Sequence, residues 1–512
     1  MLISKLKKEI KKLSDNQCTV EILNDINPVE INNSEYIFIF NQVISKFTEK
    51  LYILVSHQLA KRKIPSCFLY YNDLLSKYYP RFEIGEYEIS NSCTAKKRKS
   101  IRPVKKYPLF FEWTVDLENK KIEAERINFF PFINNNLRKY QKRYNVIYGD
   151  EDIKELIRAC DLLLKYFYLF KKFSADSGKK VKIVGYEAVY VPNGIFRMLC
   201  DKMSCDRDVE FIELRRGYIN YFGQHHHRSS FISNSNLTKE NIETGLMVSR
   251  EEIENLDEQK IGKDELTRPV SNALERRIDL KKESYQQQII KKIEDFRKRG
   301  KMIFVLFPHV FYDIPADDRS ISFDDMCKWI SETIDYFKRN DNLLVIKPHP
   351  GEIVKDQPKR RPNETLASFL ADTELSENII LLEHDAFTVK DLSHVMSVGL
   401  IWRSSVAMEL TFLGIPCIVA GNPPYRSLNL NYAKNKEHYF QMINNAKEIN
   451  VNENLKIETA KYLYLLEKKH IRIKCITYHN KLRRFYWVRK ELKKYLKEGD
   501  ANVTSIVDYM IS

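Results

Sequence analysis

Between Met302 and Gly421 the chain repeats one unit: a short apolar run, a polar or proline-containing break, then an amphipathic stretch. The apolar runs are "MIFVLFPHV", "NLLVIKPHP", "NIILLEHD", "SVGLIWRSS" and "PCIVAGNPP". Between them lie "FDDMCKWISETIDYFKRN", "ETLASFLADT", "AFTVKDLSHV" and "SVAMELTFLG". Continuous apolar runs without alternation read as strands buried on both faces, and strands alternating with helices at this spacing imply a parallel, doubly wound sheet. No other feature restricts the fold as much.

The first half follows the rhythm less cleanly. "EYIFIFNQVI" and "SCFLYY" read as strands, because aromatic and β-branched residues concentrate there, and "VISKFTEKLYILVSHQLAKRK" reads as the helix between them. The long apolar helix "IKELIRACDLLLKYFYLFKKF" then leads into the strand "KKVKIVGYEAVY", a second α/β pattern. At 512 residues the chain exceeds one ordinary core. The expected division is an N-terminal Rossmann-like domain over 1–237, a charged connection over 238–300, a C-terminal Rossmann-like domain over 301–450 and a helical tail over 451–512. The tail shows no strand pattern and is expected to pack across both domains.

Open α/β sheets take ligands in the crevice beyond the carboxyl ends of their strands. One such end offers Pro308 and His309, with Asp313 beyond two aromatics. A second offers Lys347, His349, Pro350 and Glu352, and a third offers Arg403, Ser404 and Ser405, with Glu409 one helical turn further. Prolines on both sides of His349 fix its backbone, and Lys347 two residues earlier can share its face of the strand. A rigidly aimed imidazole beside a cation suits a diphosphate or phosphodiester. Arg403 and two hydroxyls at a helix start suit phosphate oxygens, the plainer reading being a serine N-cap.

"VLFPHVFYD", "KPHPGE" and "SVGLIWRSSVAMELTFLGIPCIVAGNPPY" resemble the bacterial capsular polysaccharide biosynthesis family, whose glycosyltransferases have a GT-B fold. The resemblance covers Met302 to Tyr425 and is weaker at "VGYEAVYVPNGIFRMLCD" and "IELRRGYINYFGQ". The His-Pro and Ser-Ser pairing is also similar to that of Kdo-, sialyl- and polysialyltransferases. It implies two Rossmann-like domains facing a cleft, with C-terminal helices crossing the junction. It also implies His349, Ser404 and Ser405 as donor ligands, with Glu409 on the ribose; His309, Lys347, Glu352 and Arg403, at the same strand ends, join them as donor-binding candidates. The acidic-Asp-Gly catalytic motif of the sialyl families has no match in the first half, so a CMP-linked donor is one option among several.

Inverting sugar transfer calls for a carboxylate that takes the acceptor's proton, expected at a strand end of the N-terminal domain. Glu187 fits that position, with Asp116 and Asp313 as further candidates. Other signals have plainer explanations. Asp150 and Asp152 have the spacing of a metal-binding acidic pair, yet they open a helix, where acidic residues favour the macrodipole. His225, His226 and His227 are consecutive and point in different directions, so no metal is expected there.

Lys and Arg outnumber Asp and Glu by 84 to 69, a formal charge of +15, which favours an anionic partner. "TAKKRKSIRPVKKY" could track an acidic glycan, and the tail interleaves cations with aromatic residues in a way that suits packing or an anionic leaflet. Nine cysteines without paired spacing point to a reducing compartment, and no apolar run is long enough to cross a membrane. The expectation is a cytoplasmic, peripherally membrane-associated glycosyltransferase without cofactor or metal. It would move a sugar from a nucleotide-activated donor to a polysaccharide or glycolipid acceptor, beside capsule assembly proteins and without nucleic acid. Two rivals are a CDP-polyol phosphotransferase of the teichoic-acid-polymerase type and a basic nucleic-acid-binding protein.

Overall fold

Two parallel sheets form the framework, each built where the sequence concentrates apolar runs. In the computed structural model the described residues are 18, 22, 34–41, 46–69, 110–185, 190–203, 208–214, 231–233, 248–274, 283–313, 321–352, 362–384, 386–468, 470–479 and 484–511. In the first half β1 (Tyr36–Phe40) leads through the helix Lys46–Lys61 to β2 (Ser66–Phe68). A small antiparallel sheet follows, of β3 (Thr114–Asp116), β4 (Lys121–Ala124) and β5 (Ile127–Asn128). The chain then returns through the helices Phe130–Gln141 and Asp150–Ser177 to β6 (Lys180–Gly185). The helix Asn193–Met203 leads on to β7 (Val209–Glu213), and β8 (Phe231–Ser233) comes last in this half. The parallel sheet has the order β2-β1-β6-β7, so the strand sequence reverses between β1 and β6.

The second sheet contains the five strands read from the sequence and adds a short edge strand, Asn431–Tyr432. β9 (Ile303–Phe307), β10 (Leu343–Ile346), β11 (Ile379–Leu381), β12 (Val398–Ile401), β13 (Cys417–Val419) and β14 (Asn431–Tyr432) are all parallel to their neighbours. Their order is β11-β10-β9-β12-β13-β14, the doubly wound dinucleotide-fold order, with its reversal between β9 and β12. Every residue of β9, β10, β12 and β13 is buried, as expected of strands covered on both faces. The chain is therefore α/β, with two Rossmann-like domains.

The connecting segment is more than a linker. Val248, Ile253, Val270, Ile293 and Phe296 are buried in the same core as β9 and β10, and Arg250 grips Glu458 of the tail through two hydrogen bonds of 2.7 and 2.9 Å. Its apolar residues are spaced at helical intervals among many charges, so no continuous apolar run marks them.

The tail crosses back, but it is not wholly helical. The helix Glu453–Lys468 packs through Tyr462, Leu463 and Leu466 into the second domain, whereas Leu492, Tyr495, Val503, Ile506, Val507 and Met510 enter the core beneath β1. Between these helices lie β15 (His470–Arg472), β16 (Ile476–His479) and β17 (Arg484–Trp487), which correct the reading of a strandless tail. β15 pairs antiparallel with β8, and β16 with β17. These strands, "HIR", "ITYH" and "RFYW", are only three or four residues long, so pairing partners decide them rather than periodicity. Lys182 of β6 donates to the carbonyls of Met510 and Ile511 at 2.9 and 3.2 Å, tying the last helix to the first sheet.

Tyr495 fixes that docking. Its ring is fully buried, and its hydroxyl lies 2.8 Å from His57 Nδ1 and 2.9 Å from the Leu54 carbonyl. Tyr495→Ala is expected to destabilise the N-terminal domain by about 3–5 kcal/mol, read from urea denaturation. A loss below about 1 kcal/mol would show that the tail is not part of that core.

Candidate functional site

Ladder hydrogen bonds align the strand ends of the second sheet. Lys347 N–H donates to the Leu306 carbonyl at 3.0 Å, Leu382 N–H to Ile346 at 2.9 Å and Ala420 N–H to Ile401 at 2.8 Å. The residues just beyond β9, β10, β11 and β12 therefore share one edge, with the reversal between β9 and β12 at its centre.

His309 and His349 meet there, their rings stacked with centroids 5.0 Å apart and planes 26° apart. Gly351 N–H donates to His349 Nδ1 at 2.9 Å. An accepting Nδ1 carries no proton, so the neutral ring holds its proton on Nε2 and offers it as a donor. A Cβ at position 351 would lie 2.9 Å from that Nδ1, so the close turn calls for glycine. Burial, reinforced by His309, Lys347 and His384 nearby, pulls His349 down from 6.5 to about 3. The imidazole is a neutral donor across the physiological range. Lys347 beside it is buried, with Nζ 3.4 Å from the Pro348 carbonyl.

Glu352, a donor-binding candidate, meets other groups of the chain. Its carboxylate is buried and engaged: Leu366 N–H donates to Oε1 and Oε2 at 3.1 and 3.3 Å, and His384 Nε2 lies 3.0 Å from Oε2. It joins the turn after His349 to two other segments.

Across the reversal, Arg403 Nε donates to the Asn422 carbonyl at 2.8 Å. The loop is held tightly, since a Cβ at Gly421 would lie 2.7 Å from the Trp402 carbonyl oxygen and 2.8 Å from Arg403 Cγ. The Ser404 hydroxyl accepts from Val406 N–H at 3.3 Å, and the Ser404 carbonyl accepts from Tyr425 Oη at 2.6 Å. Ser405 precedes the helix Val406–Phe412 in helical conformation and its hydroxyl makes no capping bond. The plain N-cap reading thus applies weakly to Ser404 and not to Ser405. Glu409 is buried within that helix.

The acid and base candidates are dispersed. Asp116 is the last residue of β3, in the small antiparallel sheet and not in the parallel one. Its carboxylate accepts from Asn119 Nδ2 at 2.7 Å and Asn119 N–H at 3.1 Å, which holds its pKa below the ordinary value. Asp313 ends the 3-10 turn Phe311–Asp313 beyond β9. Glu187, His225, His226, His227 and the segment "TAKKRKSIRPVKKY" lie outside the described residues. Asp150 and Asp152 occupy the first turn of a 28-residue helix, where acidic side chains favour the macrodipole.

Two residues escaped the sequence reading. His384 sits three residues beyond β11, and its signal was a histidine at a third strand end. Glu213 closes β7 opposite Gly185 and is buried, but "VEFIE" had not been read as a strand. Among the described residues no group of three His, Cys, Asp or Glu is arranged to hold a metal ion, and no helix is long and apolar enough to cross a membrane. A cavity of about 480 Å³ lined by Asn431, His438, Gln441 and their neighbours shares no residue with this crevice.

No protein-family model matches the chain, and no curated protein matches it. Among solved structures it is similar to the KpsC beta Kdo 2,4 transferase of Thermosulfurimonas dismutans, at 14% identity over 62% of this chain and 88% of that one, with a TM-score of 0.31. The beta Kdo 2,7 transferase of the same KpsC matches at 12% identity over 69% and 91%, with a TM-score of 0.30. A putative UDP-N-acetylglucosamine 2-epimerase from Listeria monocytogenes matches at 9% identity over 83% and 90%, with a TM-score of 0.24. Such distant likenesses add nothing to what the strand order establishes.

The depressed pKa of His349 has a defined sign. Above pH 6.5 the ring is neutral folded and unfolded; as pH falls from 6.5 towards about 3, only the unfolded chain gains the proton and stability is lost. His349→Gln should lose less stability than the native chain between pH 7 and pH 4, with denaturation midpoints as the readout. Identical slopes would show that His349 titrates normally.

Proposed function

We propose that the chain is a glycosyltransferase that moves a sugar from a nucleotide-activated donor to a growing capsular or related surface polysaccharide. The observation that carries this reading is the grouping at the β9/β12 reversal. A neutral His349 with Nε2–H to donate is stacked on His309 beside buried Lys347, with Arg403, Ser404 and Ser405 on the neighbouring strand end. Donors of this kind suit a phosphate leaving group whose charge grows as the bond to the sugar breaks.

In this reading the acceptor hydroxyl attacks the anomeric carbon, the carbon–oxygen bond to phosphate breaks, and the nucleotide departs with the electron pair. His349 and Ser404 hold the departing phosphate, Lys347 and Arg403 offset its charge, and Glu409 takes the ribose. No metal or cofactor is required for that neutralisation. A carboxylate of the N-terminal domain takes the hydroxyl's proton. Glu187 and Asp116 remain candidates, Glu213 joins them as a buried strand-end carboxylate, and Asp313 is the candidate on the donor side. The acceptor is a polysaccharide or glycolipid, and the excess of cations suits a peripheral place at the inner face of the cell membrane, beside capsule assembly proteins.

Incubating the purified chain with CMP-, CDP-, UDP- and GDP-linked donors and an acceptor glycan should release one nucleotide. The double variant His349→Ala, Ser404→Ala should lower that rate about 100-fold or more with an unchanged melting midpoint. Full activity in that variant would remove the crevice from the mechanism. Turnover of CDP-glycerol alone would replace sugar transfer with polyol-phosphate transfer, and salt-sensitive RNA or DNA binding without turnover would favour the nucleic-acid reading.

A further inference from the structure

His384 lies on the same sheet edge, three residues beyond β11, in a region that sequence motifs leave unassigned. Its Nε2 is 3.0 Å from Glu352 Oε2, and that carboxylate is itself held by Leu366 N–H. The other ring nitrogen, Nδ1, is buried and has no hydrogen-bond partner among the described residues. A buried polar atom without a partner is costly, and a native fold seldom keeps one unless something else satisfies it. Glu352 faces one ring nitrogen and the second is left over, at the end of the strand paired with the one that carries His349.

We propose that His384 is a ligand-binding residue of this crevice, presenting Nδ1 to a phosphate oxygen of the nucleotide donor while Glu352 holds the ring from behind. The proposal rests on the donor-site reading above and extends it to the third strand end. With Nε2–H directed at Glu352, Nδ1 takes a proton from solvent as the anionic oxygen arrives, and carboxylate, imidazolium and phosphate form one charge-alternating chain. His349 supplies a neutral donor and His384 a charged one, so the two histidines play different parts. Glu352 is then a positioning residue, which accounts for its burial away from the ligand.

Two near-isosteric replacements separate ligand contact from structural bracing. His384→Gln keeps an amide where Nε2 meets Glu352 and has no atom at Nδ1; His384→Asn keeps an atom near Nδ1 and loses Glu352. Affinities of the full chain for CMP, CDP, UDP and GDP are to be measured by titration calorimetry, with melting midpoints alongside. The expected result is that His384→Gln melts within a few degrees of the native chain yet binds the preferred nucleotide about tenfold or more weakly. Native affinity in His384→Gln would overturn the proposal while leaving the donor site intact. Failure of the native chain to bind any of the four would overturn both. Should His384→Gln not fold, the nitrogen resonances of His384 in the ¹⁵N-histidine-labelled native chain decide. A shift of Nδ1 to the imidazolium range on nucleotide addition supports the contact, and an unmoved Nδ1 under saturation overturns it.

Discussion

β9 is the strand on which the second domain depends. All five of its residues, Ile303 to Phe307, are buried, and it is hydrogen-bonded in parallel to β10 on one side and β12 on the other. Parallel neighbours require crossover helices, so the chain winds outward through β10 and β11 and then returns to β12 on the far side. The loops beyond β9 and β12 lead away in opposite directions, and a crevice opens between them. Trp329 and Trp402, both fully buried with ring centroids 5.6 Å apart, fill one layer beneath that edge. Each contributes roughly 1.5–3 kcal/mol or more through burial alone.

That edge carries several polar groups that the fold pulls out of water. Glu352, Lys347 and Glu409 are each buried, and burial of a charge is tolerated only where hydrogen bonds or opposite charges answer it. Glu352 is answered by Leu366 N–H and His384. Its bonds join three loop segments, so the turn carrying His349 is fixed from behind as well as by its prolines. Rigid placement is what a phosphate site needs, since a donor aimed before binding loses little entropy when the ligand arrives.

The tail braces both domains. Tyr462 Oη donates to the Pro424 carbonyl at 3.2 Å, and Tyr425 donates to Ser404, so the helix Glu453–Lys468 supports the serine loop at one remove. The final helices complete the core of the first sheet. Elsewhere the two domains touch at the loop after the helix Phe130–Gln141. There Glu364 accepts from Tyr144 N–H, Asn145 N–H and Asn145 Nδ2 at 2.6–3.0 Å. The Tyr144 ring also packs against Phe311, with centroids 6.1 Å apart, so the junction combines polar and aromatic contacts.

The sequence by itself determined the second sheet. Unbroken apolar runs such as "IFVLF" and "LLVI" can be stable only as strands covered on both faces, and the helices between them leave parallel pairing as the outcome. It also placed His309, Lys347, His349, Arg403 and the serine pair at strand ends, because prolines and polar residues stop each run. What it did not determine were features set by distant partners. β15 to β17 exist because β8 and each other supply hydrogen bonds, and the short apolar set of the connecting segment is buried because the second sheet and the tail helix both lie against it. Nor did it show that Glu352 meets His384, 32 positions later, at 3.0 Å. Spacing along the chain reports which residues end a strand; which of them meet, and which face away, is decided when the strands align and low-dielectric burial forces each charge to find its partner.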